Sequence, residues 1–195
     1  MSNEIIEFNN IIPKILCDEI IKKFENTENT ENTEKYKNKT QNVFNFKQVV
    51  IPKQNDLWVK IEVLLYKQLL LNLNKYKEQN FDINNLNNEI NILLNKKLYT
   101  TSFFIQKYVP SENNVYIEDF NKINSRYNCF TFVYFLNTSD EAEISIESNK
   151  KTTTIHPKKG NLIIYTENLN NNYKYKLPSS EKSLYIITGQ VYEKI

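Results

Sequence analysis

One histidine, one arginine, two glycines and two cysteines are all that this 195-residue chain contains of those types. Each scarcity closes off a class of chemistry. With only Gly160 and Gly189, there is no glycine-rich loop of the kind that cradles a phosphate. Because His156 is the sole imidazole, a serine or cysteine nucleophile would have to be activated there, and no spacing recommends Cys129 or any serine as its partner. Arg126 is the only guanidinium, so bidentate contacts to bases and phosphates are scarce. A balance of 25 basic against 23 acidic residues, net +2, gives no general pull towards nucleic acid or an anionic membrane. Cys17 and Cys129 lie in apolar surroundings and form no paired motif. They read as buried free thiols of a reducing compartment. No segment approaches the roughly 18 apolar residues of a membrane span, and the start MSNEIIEF lacks both the basic region and the apolar run of a signal peptide. The expectation is a cytoplasmic protein, or one of virion and host cytoplasm if the source is viral. The sequons at Asn38 and Asn137 then carry no weight.

What is plentiful is asparagine, lysine, isoleucine and tyrosine, a bias that fits an AT-rich genome such as a protist's or a large DNA virus's. The length favours a single domain, 1–195. From Thr101 to Val191 short strand patterns follow one another with turn residues between them. They run Ser102 to Val109, Cys129 to Leu136, Glu143 to Glu147, Thr152 to Ile155, Asn161 to Tyr165 and Ser183 to Val191, as an antiparallel sandwich or jelly roll reads. The first hundred residues differ. Glu4 to Ile12 reads as a strand, and Pro13 opens a helix to Glu25 with Leu16, Cys17, Ile20, Ile21 and Phe24 on one face. A polar loop fills 26–42, with NTE three times over. Val43 to Ile51 reads as a strand, and Asp56 caps a helix from Leu57 to about Lys77 with an apolar stripe of Trp58, Ile61, Leu64, Leu65, Leu69 and Leu73. Phe81 to Leu94 permits a short helix. Helices first and strands after is the plan of an α+β domain, with the helices padding one face of the sheet. Alternating tyrosine and lysine from Tyr173 to Lys176 could stack bases, but reads more simply as an edge strand with one packed and one wet face.

The opening IIEFNNIIPKILCDEIIKKFE, followed by FFIQKYVPSENN, TFVYFLN, IHPKKGNLIIY and EKSLYIITGQVY in that order, resembles the iron(II) and 2-oxoglutarate dependent oxygenases of the prolyl 4-hydroxylase type. The resemblance spans nearly the whole chain. It implies a double-stranded β-helix, a jelly-roll relative similar to the cupins, with a core at 101–195 and N-terminal helices packed on one face. Catalysis in that family uses two histidines and one carboxylate around iron, with open positions for 2-oxoglutarate and oxygen.

Counting from Tyr108, the family's His-x-Asp falls on Ile117, Glu118 and Asp119. Asp119 is then the surviving metal-ligand position, and isoleucine stands for the first histidine. A shift by one residue offers Tyr116 and Glu118. The distal histidine falls within Asn170 to Tyr173, with Asn172 in its place, and His156 lies on a strand end away from the metal. For the cosubstrate, the resemblance matches Lys182 to the basic residue that pairs with its distal carboxylate, and Tyr108 to a tyrosine lining the same pocket. No catalytic residue and no bound cofactor is expected. The reading that follows is a degenerate, catalytically inactive oxygenase-fold protein acting as a binding or scaffold module for a protein partner, with room for a homo-oligomer. A prolyl 4-hydroxylase-like dioxygenase that hydroxylates a protein side chain is the alternative, requiring Fe(II), 2-oxoglutarate and an unusual ligand set. A viral structural or assembly component is the second alternative.

Overall fold

The computed structural model describes residues 5–27, 46–51, 56–80, 98–110, 116–118, 128–148, 151–166, 172–176 and 182–193. The strands form two antiparallel sheets facing one another. The larger takes β1 (Ile5–Phe8), β9 (Leu162–Thr166), β6 (Asn128–Phe135), β11 (Leu184–Glu193), β4 (Phe104–Tyr108) and β2 (Phe46–Val50) in that spatial order, and β3 (Leu98–Thr100) pairs with the far end of β11. The smaller is ordered β5 (Tyr116–Glu118), β10 (Asn172–Lys176), β7 (Glu143–Ser148) and β8 (Lys151–Ile155). From β4 onward the chain passes back and forth between the sheets, which is the winding of a double-stranded β-helix.

Strand β6 shows why the sequence folds this way. Its run of apolar residues is nearly unbroken because both faces are covered. Phe130, Phe132 and Tyr134 point to the helices, while Thr131, Val133 and Phe135 point between the sheets, and all six are fully buried. Helices α1 (Lys14–Thr27) and α2 (Asp56–Asn80) lie on the outer face of the larger sheet. Cys17, Ile20 and Phe24 bury one stripe of α1, and Trp58, Ile61, Leu65, Leu69, Leu73 and Tyr76 bury one stripe of α2. Leu64 of the expected stripe is half-buried. Rings fill the seam: Tyr76 meets Phe130 edge-on at 5.4 Å, and Phe103 meets Phe132 at 5.1 Å. The Tyr134 hydroxyl donates to the Leu65 carbonyl at 2.8 Å and pins α2 to the central strand. Gly189 makes room for this packing, since a Cβ there would meet the Phe132 ring at 2.5 Å.

A polar knot holds the N-terminal segment. Asn10 turns the chain with a φ of 55°, and Ile11 N and Ile12 N both donate to the Gly160 carbonyl, at 2.7 and 3.0 Å. Asn161 then donates through Nδ2 to Glu7 Oε1 and Asn9 Oδ1, each at 2.7 Å, and accepts from Asn10 N. This knot ends β1 at Phe8, short of the expected Ile12. Gly160 itself has a φ of 86°, and a Cβ on it would lie 2.5 Å from the Ile12 oxygen, so only glycine fits.

Three further expectations are corrected. The short strands β3 and β5 are additional to the expected six; each is three residues, too brief for an alternation to show. The Tyr173 to Lys176 stretch is not an edge strand: β10 lies between β5 and β7. Alternation reports which face of a strand is wet, not whether both its edges are paired. The wet face is real, with Lys176 Nζ 3.0 Å from Glu143 Oε1. The helix α1 reaches Thr27, so the start of the expected 26–42 loop is helical, and 28–42 lies outside the described residues, as does the expected helix at 81–94. Among the described residues no helix is long and apolar enough to cross a membrane.

Candidate functional site

The two sheets enclose a space between them, and strand register decides which positions face it. On the smaller sheet Ile144 is 1 % exposed and packs inward, so the positions paired with it share that face. Tyr175 pairs with Ile144 on one side and with Ile117 on the other, and Ile155 pairs with Ile144 from β8. Position 117 is therefore on the inner face, and its neighbours Tyr116 and Glu118 are on the outer one. The next inner row contains Tyr173, Ile146 and Thr153. Asn172 pairs with Glu147 and lies on the outer face with Lys174 and Ser145. The register thus separates the two positions matched to the family's histidines, and Tyr173, not Asn172, shares a face with Ile117. Asp119 lies outside the described residues.

The larger sheet supplies the opposite wall. Tyr108, Val133, Phe135, Ile163, Tyr165, Leu184 and Ile186 form one buried cluster with Ile144 and Ile155 of the smaller sheet. Tyr108 is 6 % exposed, and its hydroxyl donates to Gln106 Oε1 at 2.8 Å. Its cross-strand partners are Phe46 on β2 and Leu184 on β11. Lys182 stands two residues earlier, exposed, in a bend before β11 begins. The reason is local: Asn137 accepts from Tyr185 N and donates to the Ser183 carbonyl, both at 2.8 Å, and so closes the strand end with Lys182 outside it. Tyr108 and Lys182 are thus not cross-strand partners. The inner wall beside Tyr108 is apolar, and its polar groups are ones that sequence reasoning passed over.

Those groups are Gln106, Thr131, Thr188 and Gln190, all at most 5 % exposed. Thr188 Oγ1 donates to the Phe132 carbonyl at 3.0 Å. Their signal was present in LYIITGQVYE, where Thr188 and Gln190 fall in phase with the inward Leu184 and Ile186. None of the four is a strong acid, base or nucleophile at neutral pH.

The titratable groups with shifted behaviour lie on the helix side of the larger sheet. Burial raises Cys17 to about 11, which makes the thiol unreactive. Burial also pushes Tyr134 well above the usual phenol value. Lys107 Nζ lies 2.9 Å from Glu25 Oε1, and the Tyr185 hydroxyl donates to the same carboxylate at 2.7 Å. Burial pulls the Lys107 ammonium down, but the bonds to Glu25 and Tyr185 outweigh it and leave the group above its ordinary value. Burial first and the Glu25 carboxylate second raise Tyr185. This cluster clamps α1 to β4 and β11.

No family sequence profile and no curated protein matches this chain. Solved structures do. A prolyl hydroxylase from Trichoplax adhaerens, in complex with a hypoxia inducible factor oxygen degradation domain peptide, aligns over 98 % of this chain and 84 % of its own, with a TM-score of 0.71 and 15 % identity. The fold is that of the prolyl 4-hydroxylase type 2-oxoglutarate oxygenases. A Pseudomonas putida prolyl-4-hydroxylase matches over 100 % of this chain and 95 % of its own, at TM-score 0.66 and 11 % identity. A viral collagen prolyl hydroxylase of Paramecium Bursaria Chlorella virus-1, in its 2-oxoglutarate complex, matches over 99 % and 98 %, at 0.64 and 13 %. The resemblance drawn from the sequence implies a metal centre of two imidazoles and a carboxylate, and the single histidine of this chain supplies at most one of those imidazoles. The inner positions 117, 173 and 175 are isoleucine and two tyrosines. The sole imidazole, His156, is exposed beyond the last residue of β8, its Nδ1 3.3 Å from the Ala142 carbonyl. Among the described residues no three His, Cys, Asp or Glu side chains group to hold a metal.

Proposed function

We propose that this chain is an oxygenase-fold protein without a competent iron centre, which serves as a binding or scaffold module for a protein partner. The observation that carries the proposal is the donor inventory. Isoleucine occupies inner position 117, and the single histidine lies past the end of β8, so two imidazoles cannot converge between the sheets. Tyrosine phenols and amides bind ferrous ion too weakly to replace them at neutral pH. The packed inner cluster of Val133, Phe135, Ile144, Ile163 and Ile186 also supports a structural use of the barrel.

The second reading is an active dioxygenase hydroxylating a protein side chain. It is favoured by the likeness to prolyl hydroxylases across nearly the whole chain, and Tyr108 is the residue that the sequence resemblance matches to a tyrosine of the cosubstrate pocket. Anaerobic Fe(II) titration followed by a succinate assay separates the two. The proposal expects no stoichiometric Fe(II) retention and no 2-oxoglutarate turnover, and retention with turnover overturns it. If 2-oxoglutarate binds without turnover and Lys182→Ala abolishes that binding, the Tyr108 and Lys182 pocket is retained inside an inactive protein.

A further inference from the structure

Strand β8 is the end of the smaller sheet, and it differs from the other sheet edges. β1 carries Glu7, β2 carries Lys47, and β3 and β5 are only three residues long. Charges and short length are how natural edges avoid pairing with another chain. β8 reads KTTTI, with its one charge, Lys151, at the hairpin end. Thr152, Thr153 and Thr154 are all exposed, so both faces of the strand are open at these positions. Among the described residues no backbone hydrogen bond reaches these three from outside the β7 pairing. In an antiparallel ladder every second residue turns its N–H and C=O away from the neighbouring strand, so β8 offers donors and acceptors to a further strand.

We infer that this edge pairs with the β8 edge of a second copy of the chain, antiparallel about Thr153. The strand is complementary to itself in that register. Thr152 stands opposite the second copy's Thr154, Thr153 opposite its counterpart, and Lys151 opposite Ile155, so no like charges face one another. Threonine pairs across strands stabilise a sheet through hydroxyl and methyl contacts. The contact is one five-residue strand pair, far below the roughly 1,200 Å² of a standard stable interface, so the association is weak and depends on concentration. It needs no ligand between the sheets and goes beyond the proposed function.

The test is sedimentation equilibrium of the full chain up to about 1 mM, the concentration that matches a standard free energy near −4 kcal/mol. The parent should dimerise as concentration rises. Thr153→Lys and Thr153→Glu each set like charges opposite one another and should weaken association by roughly fivefold. An equimolar mixture of the two should associate more tightly than either alone, which a folding defect could not produce. Thr154→Lys, which faces Thr152, should change association by less than about twofold. A parent that stays monomeric throughout, or a Lys and Glu mixture no tighter than its components, overturns the inference.

Discussion

Replacing Tyr134 by phenylalanine tests the seam between helix and sheet, and pH makes the test specific. The ring is fully buried near the C-terminal end of β6, with its hydroxyl 2.8 Å from the Leu65 carbonyl. At neutral pH the substitution removes one neutral hydrogen bond, worth about 1 kcal/mol net. For a chain of this length that lowers Tm by about 2–4 °C. Burial raises the phenol above its ordinary value, so the folded state keeps the proton that the unfolded state releases. The stability this group lends is therefore whole below the unfolded value near 10, and is lost as the pH climbs above it at about 1.4 kcal/mol per unit. The phenylalanine variant lacks that slope. Its stability curve should lie below the parent's at pH 8, converge above pH 10 and cross it near about pH 10.7, where the alkaline loss equals the missing bond. Other tyrosines titrate alike in both proteins and cancel in the difference. Urea unfolding followed by far-ultraviolet circular dichroism between pH 8 and 11 reads the crossing. Two curves that stay parallel to the top of that range would refute the burial of this hydroxyl.

Gly160→Ala should destabilise by about 2–4 kcal/mol in chemical denaturation, because the left-handed backbone and the 2.5 Å approach to the Ile12 oxygen act together. Cys17 should react with a thiol reagent at pH 8 roughly 100-fold more slowly in the folded protein than in urea, with peptide mapping to distinguish it from Cys129, since burial both hides the sulfur and raises it to about 11. Restoring imidazoles tests the strand register. Ile117→His with Tyr173→His should gain Fe(II) or Ni(II) affinity by calorimetry, whereas Ile117→His with Asn172→His should not, because 172 faces away from 117. Equal gains from both pairs would show that the rows of β5 and β10 are misassigned.

Much of this protein is settled by its residues before any folding. One histidine per chain cannot by itself supply two imidazoles to one centre, and that much follows from composition alone. The stripes at Cys17, Ile20 and Phe24 and at Leu65, Leu69 and Leu73 mark helices laid on a sheet because their spacing is local and repeats with the helix turn. The run through β6 marks a strand covered on both sides for the same kind of reason. The placement of β10 between two strands, and of Tyr173 rather than Asn172 on the inner face, came only from tertiary structure. Each depends on which residue of a distant strand lies opposite, and sliding a strand by one residue exchanges its inner and outer faces without altering its sequence. Composition decides what donors exist, and register decides which of them can meet.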